Sequence, residues 1–333
     1  MVASPKVSVL MGVYNEKEYL REAIESVLGQ TYENVQLIIV DDDSTDNSRQ
    51  IINSYEETQI RLIENETNRG LTHSLNRALE AASGKYVARQ DADDISEPNR
   101  LNRQVAFLEE HDDVAVVGTG ANLIDNQGDI IDRRIGYCNP TYEDFLAKNR
   151  LVHGSILARR NIFEHLEGYD EFFRYAQDYE LWLRLAKKNR IANIPNPLYN
   201  LRLHDQSVYF SHKNDSALYS KFARDLSMDV VDTDTEASVR NQGIHTYWDN
   251  LSDIEQALIH QELAIRYLRY GHRKLAIEEC QRARFKNGLS IKLLGIIALA
   301  YAGHWAVSLT RSIMRQYLNI QTRLHNKFDC PYI

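Results

Sequence analysis

The chain has 333 residues, 43% hydrophobic and 26% charged, a composition ordinary for a globular protein and a length sufficient for one large domain with an appendage. The net charge of −8 conceals an asymmetry: residues 261–333 carry 12 Lys/Arg against 4 Asp/Glu, and the preceding 260 residues carry 27 against 43. An acidic body argues against a general nucleic-acid binder, whereas a basic tail suits an anionic surface such as lipid head groups.

In chain order, Val7 to Val13 reads as a buried strand and Tyr14-Asn15-Glu16 as the turn that ends it. Glu18 to Gln30 follows as a helix, because Leu20, Ala23, Ile24, Val27 and Leu28 recur at helical spacing. Val35 to Val40 is a continuous apolar strand, as expected where helices cover both faces of a sheet. Asp41 to Asp46 closes it, and a helix runs on through Tyr55. Ile60 to Ile63 is a third strand, Leu71 to Ala82 a helix closed by Gly84, and Tyr86 to Ala88 a fourth strand. This alternation predicts an α/β fold with a doubly wound, mostly parallel sheet.

Beyond residue 100 the spacing predicts a helix over 101–110, a strand over 114–118, a hairpin turning at Gln127-Gly128, a strand over 155–158 and a helix over 179–188. Ile95-Ser96-Glu97-Pro98 reads as a helix start with Asp94 as its cap, and Pro195 and Pro197 as breaks before Leu198 to Arg202. From about residue 226 the composition is helical, so the expected division is a catalytic domain over 1–225 and a helical extension over 226–333. Cys138, Cys280 and Cys330 show no C-x-x-C spacing and read as reduced thiols in a cytosolic setting. Met1 to Lys6 run into the first strand without an apolar leader segment, so no signal peptide is expected.

Ligands of doubly wound sheets bind outside the carboxyl ends of the strands. Three polar clusters fall at such ends: Tyr14-Asn15, Asp41-Asp42, and Asp91-Ala92-Asp93-Asp94. On extended backbone Asp91 and Asp93 leave on one face. Such a pair is either a solvated acidic turn or a seat for a hard divalent cation that keeps part of its shell for phosphate oxygens.

Together, Val7 to Glu16, Val40 to Asp46, Asn68-Arg69-Gly70, Asp91 to Asp94 and Gln177 to Arg184 resemble the family 2 glycosyltransferases over residues 5 to about 210. The resemblance implies the GT-A nucleotide-sugar fold and an inverting, metal-dependent transfer from a nucleotide-diphosphate sugar, a UDP-sugar above all. It implies that Asp42 accepts a hydrogen bond from the base, that Tyr14 stacks on it, that Asp93 binds Mn2+ or Mg2+, and that Asp91 reaches the ribose or the metal through water. It implies that Asp178 is the general base, with Gln177 standing where the family often has Glu. Arg202, His204 and Ser207 fall in a segment that in relatives lies near the diphosphate, with a shorter Arg-to-His spacing here; Arg202 is a candidate donor contact and His204 a candidate metal or phosphate contact. At a helix start, Asp178 is expected to have a lowered pKa.

Leu289 to Leu309 is apolar for about the length of a bilayer span, but Lys292, Gly303 and His304 interrupt it. With Arg282, Arg284, Lys286, Arg311 and Arg315 flanking it, it reads as a helix lying in a membrane interface, or else as a soluble helix packed on protein. The membrane reading places the protein peripherally on the cytoplasmic face, meeting a glycan or lipid-linked acceptor. The rival functions are a sugar nucleotidyltransferase and a catalytically silent nucleotide-sugar-binding or scaffold protein.

Overall fold

The computed structural model describes residues 5–56, 58–204, 213–269 and 272–301. Two compact units emerge, one within residues 5–204 and one within 213–301.

In the first unit, apolar runs become strands where both faces are covered. Strands β1 (Val7–Val13), β2 (Val35–Asp41), β3 (Ile60–Glu64) and β4 (Tyr86–Arg89) pair in parallel, in the order β3-β2-β1-β4. The sheet continues through β8 (Leu157–Arg159), β6 (Val114–Ile124) and β9 (Arg190–Arg202) to the short β5 (Ile95–Ser96). Strand β8 runs antiparallel to β4 and β6, and β7 (Ile130–Arg134) folds back on β6 as the expected hairpin.

Helices α1 (Leu20–Leu28), α2 (Ser48–Asn53), α3 (Leu71–Glu80) and α4 (Arg100–Glu110) connect these strands. Along α1, Leu20, Ala23, Ile24 and Val27 are all buried, the stripe that period 3.6 demands. They join Val7, Val9 and Met11 of β1, Leu37 and Ile39 of β2, and Leu101, Val105 and Leu108 of α4 in one core. Shorter helices α5 (Tyr142–Ala147) and α6 (Arg160–His165) precede α7 (Gln177–Ala186).

Two expectations fail for physical reasons. The prolines do not break the chain: β9 runs through them, with Ile194 opposite Thr119 and Pro197 opposite Gly120, so Pro195 and Asn196 bulge out of the ladder where no amide is required. Gly120 permits this, since a Cβ there would stand 2.4 Å from the Pro195 carbonyl oxygen. Nor does a helix begin at Ile95. Ile95 and Ser96 pair with Asn200 and Tyr199, and α4 starts only at Arg100.

The second unit contains α8 (Lys213–Ser227), α9 (Thr233–Gln242), α10 (His245–Asn250), α11 (Asp253–Arg269), α12 (Arg273–Asn287) and α13 (Ile291–Tyr301). Small residues, Ala257, Ala264, Ala276, Cys280, Ala283 and Ala300, fill much of the core where α11, α12 and α13 meet. No helix among the described residues is long and apolar enough to cross a membrane. Ser207 and the stretch beyond Tyr301, with the last part of the expected interfacial segment, lie outside the described residues. Cys280 is a free, buried thiol. Cys138 is disulfide-bonded, which corrects the expectation of three reduced thiols.

Candidate active site

The carboxyl ends of β2, β1 and β4 are neighbours in the sheet, and side chains lace their loops together. Asn15 takes a left-handed conformation, φ 57°, which asparagine tolerates better than most residues. Its Oδ1 then accepts from the Thr45 amide at 2.8 Å, while Ser48 Oγ accepts from the Glu16 amide at 2.9 Å. Tyr14 stands at this rim with 46% of its surface exposed.

Asp41 and Asp42 differ in their surroundings. Asp41 is sealed in the sheet edge, where its Oδ2 meets Arg49 at 2.9 Å and its buried Oδ1 has no partner among the described residues. Asp42, 3% exposed, accepts at Oδ1 from Asn65 Nδ2 (2.5 Å) and the Arg69 amide (2.9 Å), and at Oδ2 from the Gly70 amide (2.7 Å). The Asn68-Arg69-Gly70 loop, which opens α3, is therefore wrapped around the Asp42 carboxylate. Gly70 sits at φ 88°, where a side chain would be strained.

The loop after β4 gathers Asp91, Asp93 and Asp94. Asp91 Oδ1 meets Arg89 Nη2 at 2.5 Å, and burial outweighs that cation, so the carboxyl lies above the ordinary aspartate range. Asp93 Oδ2 meets His204 Nε2 at 2.9 Å; this bond is the main reason that the imidazole holds its proton more firmly than usual. Asp94 does not cap a helix. Its Oδ1 accepts from the Arg202 amide at 2.7 Å, tying β9 to the acidic loop, and burial followed by the charges of Asp93 and Asp91 pushes its pKa well up. Glu16 belongs to the same cluster. Burial, then the Asp93 charge, raise its carboxyl to about 8.

Arg202 lies among these groups, but its guanidinium is engaged by protein. Nε donates to the Asp93 carbonyl (2.9 Å), Nη1 to those of Asp125 and Asn126 (3.1 and 3.2 Å), and Nη2 meets Glu22 Oε2 at 2.6 Å. The group stacks 4.4 Å over the Tyr19 ring, and the side chain is 1% exposed. In this state it braces the acidic loop, the β6–β7 turn and α1, and its three nitrogens are all engaged by protein.

Asp178 is presented from the first turn of α7, behind Ala176 in a left-handed conformation, φ 59°. Its Oδ2 accepts from Asn149 Nδ2 at 2.8 Å. The expected lowering of its pKa does not occur: burial raises it, and the Asp91 charge adds to the rise against the hydrogen bonds from Asn149 and the Tyr179 amide. Desolvation thus exceeds the helix-terminus effect. Beside it, His153 Nε2 pairs with the Tyr169 hydroxyl at 2.9 Å, and the imidazole packs edge-on to Trp182. Burial keeps that histidine neutral.

The structure therefore joins Asp91, Asp93, His204 and Arg202 in one cluster, sets Tyr14 and Asp42 at the adjoining strand ends, and brings Asp178 near enough for Asp91 to act on its charge. Sequence reasoning missed Glu16, Arg89, Asn149 and Tyr169. Only Arg89 carried a usable signal, a cation at the end of an apolar run. No trio of His, Cys, Asp or Glu side chains among the described residues forms a ready metal cage. The donor set nonetheless fits a hard cation: it is oxygen-rich, and the Asp93 and Asp91 charges, which add to what burial does at Glu16, are what a positive ion would offset.

Comparison with known proteins is consistent with this geometry. Residues 8–166 match the family described as Glycosyl transferase family 2. A Bacillus subtilis protein named as a glycosyltransferase, EpsE, is 42% identical over 208 residues, covering 61% of this chain and 74% of that protein. The Escherichia coli UDP-Glc:alpha-D-GlcNAc-diphosphoundecaprenol beta-1,3-glucosyltransferase WfgD is 28% identical over 283 residues, covering 85% and 97%. Among solved structures, Staphylococcus aureus TarS (1–349) in complex with UDP aligns with a TM-score of 0.53 at 18% identity, covering 89% of this chain and 90% of that one. The mannosyltransferase PcManGT from Pyrobaculum calidifontis, in complex with GDP-Man and Mn2+, aligns with a TM-score of 0.56 at 18% identity, covering 99% and 89%.

Proposed function

The chain belongs to glycosyl transferase family 2 and is a glycosyltransferase, and from that premise we propose that it moves a sugar, with inversion, from a UDP-sugar to a glycan or lipid-linked acceptor, with Mn2+ or Mg2+ as cofactor. The observation that carries the reading is the convergence of Tyr14, Asp42, Asp91 and Asp93 on the carboxyl ends of three adjacent strands, with Asp178 of α7 near enough to feel the Asp91 charge.

In this mechanism Tyr14 offers its exposed ring to the base, and Asp42, with its loop, shapes the nucleoside end. Asp93 and Asp91, with His204 beside them, would hold the cation, which when bound neutralises the donor diphosphate. Asp178 accepts the proton of the acceptor hydroxyl as the oxygen bonds to the anomeric carbon and the bond from that carbon to the diphosphate oxygen breaks. A base raised by burial is better matched to that task near neutral pH than an exposed aspartate. Arg202 serves here as the brace that keeps His204 on Asp93.

A nucleotidyltransferase would need a glycine-rich triphosphate loop after β1. Gly12 instead lies within β1, where a Cβ would meet Leu71 at 2.8 Å. A silent scaffold would have no use for a base held in a costly buried position.

The lipid-linked acceptor is favoured by WfgD, whose name specifies a diphosphoundecaprenol acceptor. It is favoured also by the basic sequence from residue 261 onward, within which Phe285 is 89% exposed between Arg284 and Lys286. On this reading the protein works peripherally at the cytoplasmic leaflet. Calorimetric titration with UDP, GDP and dTDP, each with Mn2+ or EDTA, tests the donor assignment. Metal-dependent binding of UDP that is lost in Asp93→Ala is expected; absence of binding for all three would refute it.

A further inference from the structure

Arg89 and Arg100 are among the largest side chains fully shut off from solvent, and the mechanism above uses neither. Strand β4 ends on Arg89, whose amide donates to the Ile156 carbonyl at 3.1 Å. Its Nη2 meets Asp91 Oδ1 at 2.5 Å, its Nη1 reaches the carbonyls of Gln90 and Leu10, the latter at 3.4 Å, and its Nε has no partner among the described residues. A buried guanidinium costs free energy that an apolar side chain would not. The return lies in what it does to Asp91.

Asp91 is restrained on every side that protein can reach. Arg89 holds Oδ1. The Tyr199 hydroxyl accepts from the Asp91 amide at 3.1 Å. Near Oδ2 lies Gly154, where a Cβ would stand 2.6 Å from that oxygen and 2.1 Å from the Tyr199 hydroxyl. Glycine at this place lets the 153–155 turn press its backbone against the carboxylate. Arg100 pins that turn, donating from Nη1 to the carbonyls of Gly154 and Arg89, both at 3.1 Å, while its own guanidinium lies 5.4 Å over the Tyr199 ring. The result is a carboxylate gripped at one oxygen and walled beside the other.

We propose that Arg89 is a positioning residue for the transfer reaction: it clamps Asp91 through Oδ1 so that Oδ2 alone is offered to the donor and its cation. The proposal rests on the donor-site reading above. Lysine cannot substitute, because a single ammonium cannot meet the carboxylate and two backbone carbonyls from one fixed plane.

The test is calorimetry with UDP and with GDP over a Mn2+ series, on wild type, Arg89→Lys, Asp91→Asn and the double variant, with thermal melts to confirm folding. Arg89→Lys is expected to weaken nucleotide binding in Mn2+ and raise the Mn2+ concentration for half-saturation by about 10- to 100-fold. It should add nothing further in the Asp91→Asn background. Folded Arg89→Lys with wild-type affinity and Mn2+ midpoint overturns the proposal, as does a full additional loss in the Asp91→Asn background. Should Arg89→Lys not fold, Arg89→Gln takes its place: a folded variant with wild-type affinity and Mn2+ midpoint overturns the proposal, and a raised midpoint that is absent in the Asp91→Asn background supports it. Failure of the wild type itself to bind either nucleotide would instead bring down the donor-site reading, and this inference with it.

Discussion

Asp42→Asn separates a residue that reads the donor from one that also builds the site. In the structure the buried carboxylate accepts three hydrogen bonds, from Asn65 Nδ2, the Arg69 amide and the Gly70 amide. Asparagine retains the shape but exchanges one oxygen for an NH2. In the less costly orientation the remaining oxygen keeps Asn65 and Arg69, and the new NH2 faces the Gly70 amide, donor against donor. One charge-assisted bond is lost and one amide is left unanswered, a cost of about 1.5–3 kcal/mol. For a unit of this size that corresponds to a fall in Tm of about 3–12 °C. The assay is thermal unfolding without nucleotide, followed by UDP titration at a temperature where both proteins are folded. A side chain that served only the base would leave the ligand-free Tm unchanged. That result, with UDP binding lost, would refute the argument that Asp42 is the bracket on which the 68–70 loop is built.

Asp178→Asn should lower transfer by about 10²–10⁴-fold while nucleotide affinity stays close to wild type; turnover near wild type would remove the base assignment. Because burial raises the Asp178 carboxyl, protonation disables it at a higher pH than for an exposed aspartate. The acid limb of kcat/KM should therefore lie above the ordinary carboxylate range, and a limb within that range would count against the assignment. Glu16, raised to about 8, carries its proton at neutral pH; a cation entering the cluster expels it, so Mn2+ binding should tighten as pH rises towards 8 and release about one proton per ion. Heats of Mn2+ binding that do not depend on the ionisation enthalpy of the buffer, or that are unchanged in Glu16→Gln, would contradict this. Wild-type protein should float with anionic vesicles, and a chain ending at residue 285 should not; equal flotation of the two would end the membrane proposal.

Elements were legible where one local signal decided them. The runs at Val7–Val13 and Val35–Val40 became strands because buried parallel strands need little except continuous apolar side chains. The register of β9 was not legible, since Pro195 and Pro197 read as breaks until a partner strand with Gly120 supplies room for a bulge. Site chemistry divided in the same way. Strand-end position marked Asp91 and Asp93, but partners distant in the chain decide what many of these carboxylates do: Asn149 for Asp178, Asn65 for Asp42, His204 for Asp93. Burial, which reverses the expected direction at Asp178, has no signature in a helix-start motif. Arg89 was passed over because a cation after three apolar residues reads as the end of a strand, whereas the strand continues and buries it.

The placement of charge argues for chemistry over architecture. Glu16, Asp91, Asp94 and Asp178 all have carboxyls raised by burial, so each is poorer in solvation than an exposed acid and each weakens the fold near neutral pH, where it must either ionise at a cost or hold a proton. Two carboxylates away from the strand ends show the opposite pattern. Glu109 and Asp113 sit at the surface against Lys85 and Arg190, whose hydrogen bonds lower their pKa values. Selection for stability alone would spread acids in the second manner. Concentrating the first kind at the carboxyl ends of β1 and β4 and the start of α7 destabilises the ligand-free protein there, and a polyphosphate donor arriving with its cation is the class of ligand that would offset it.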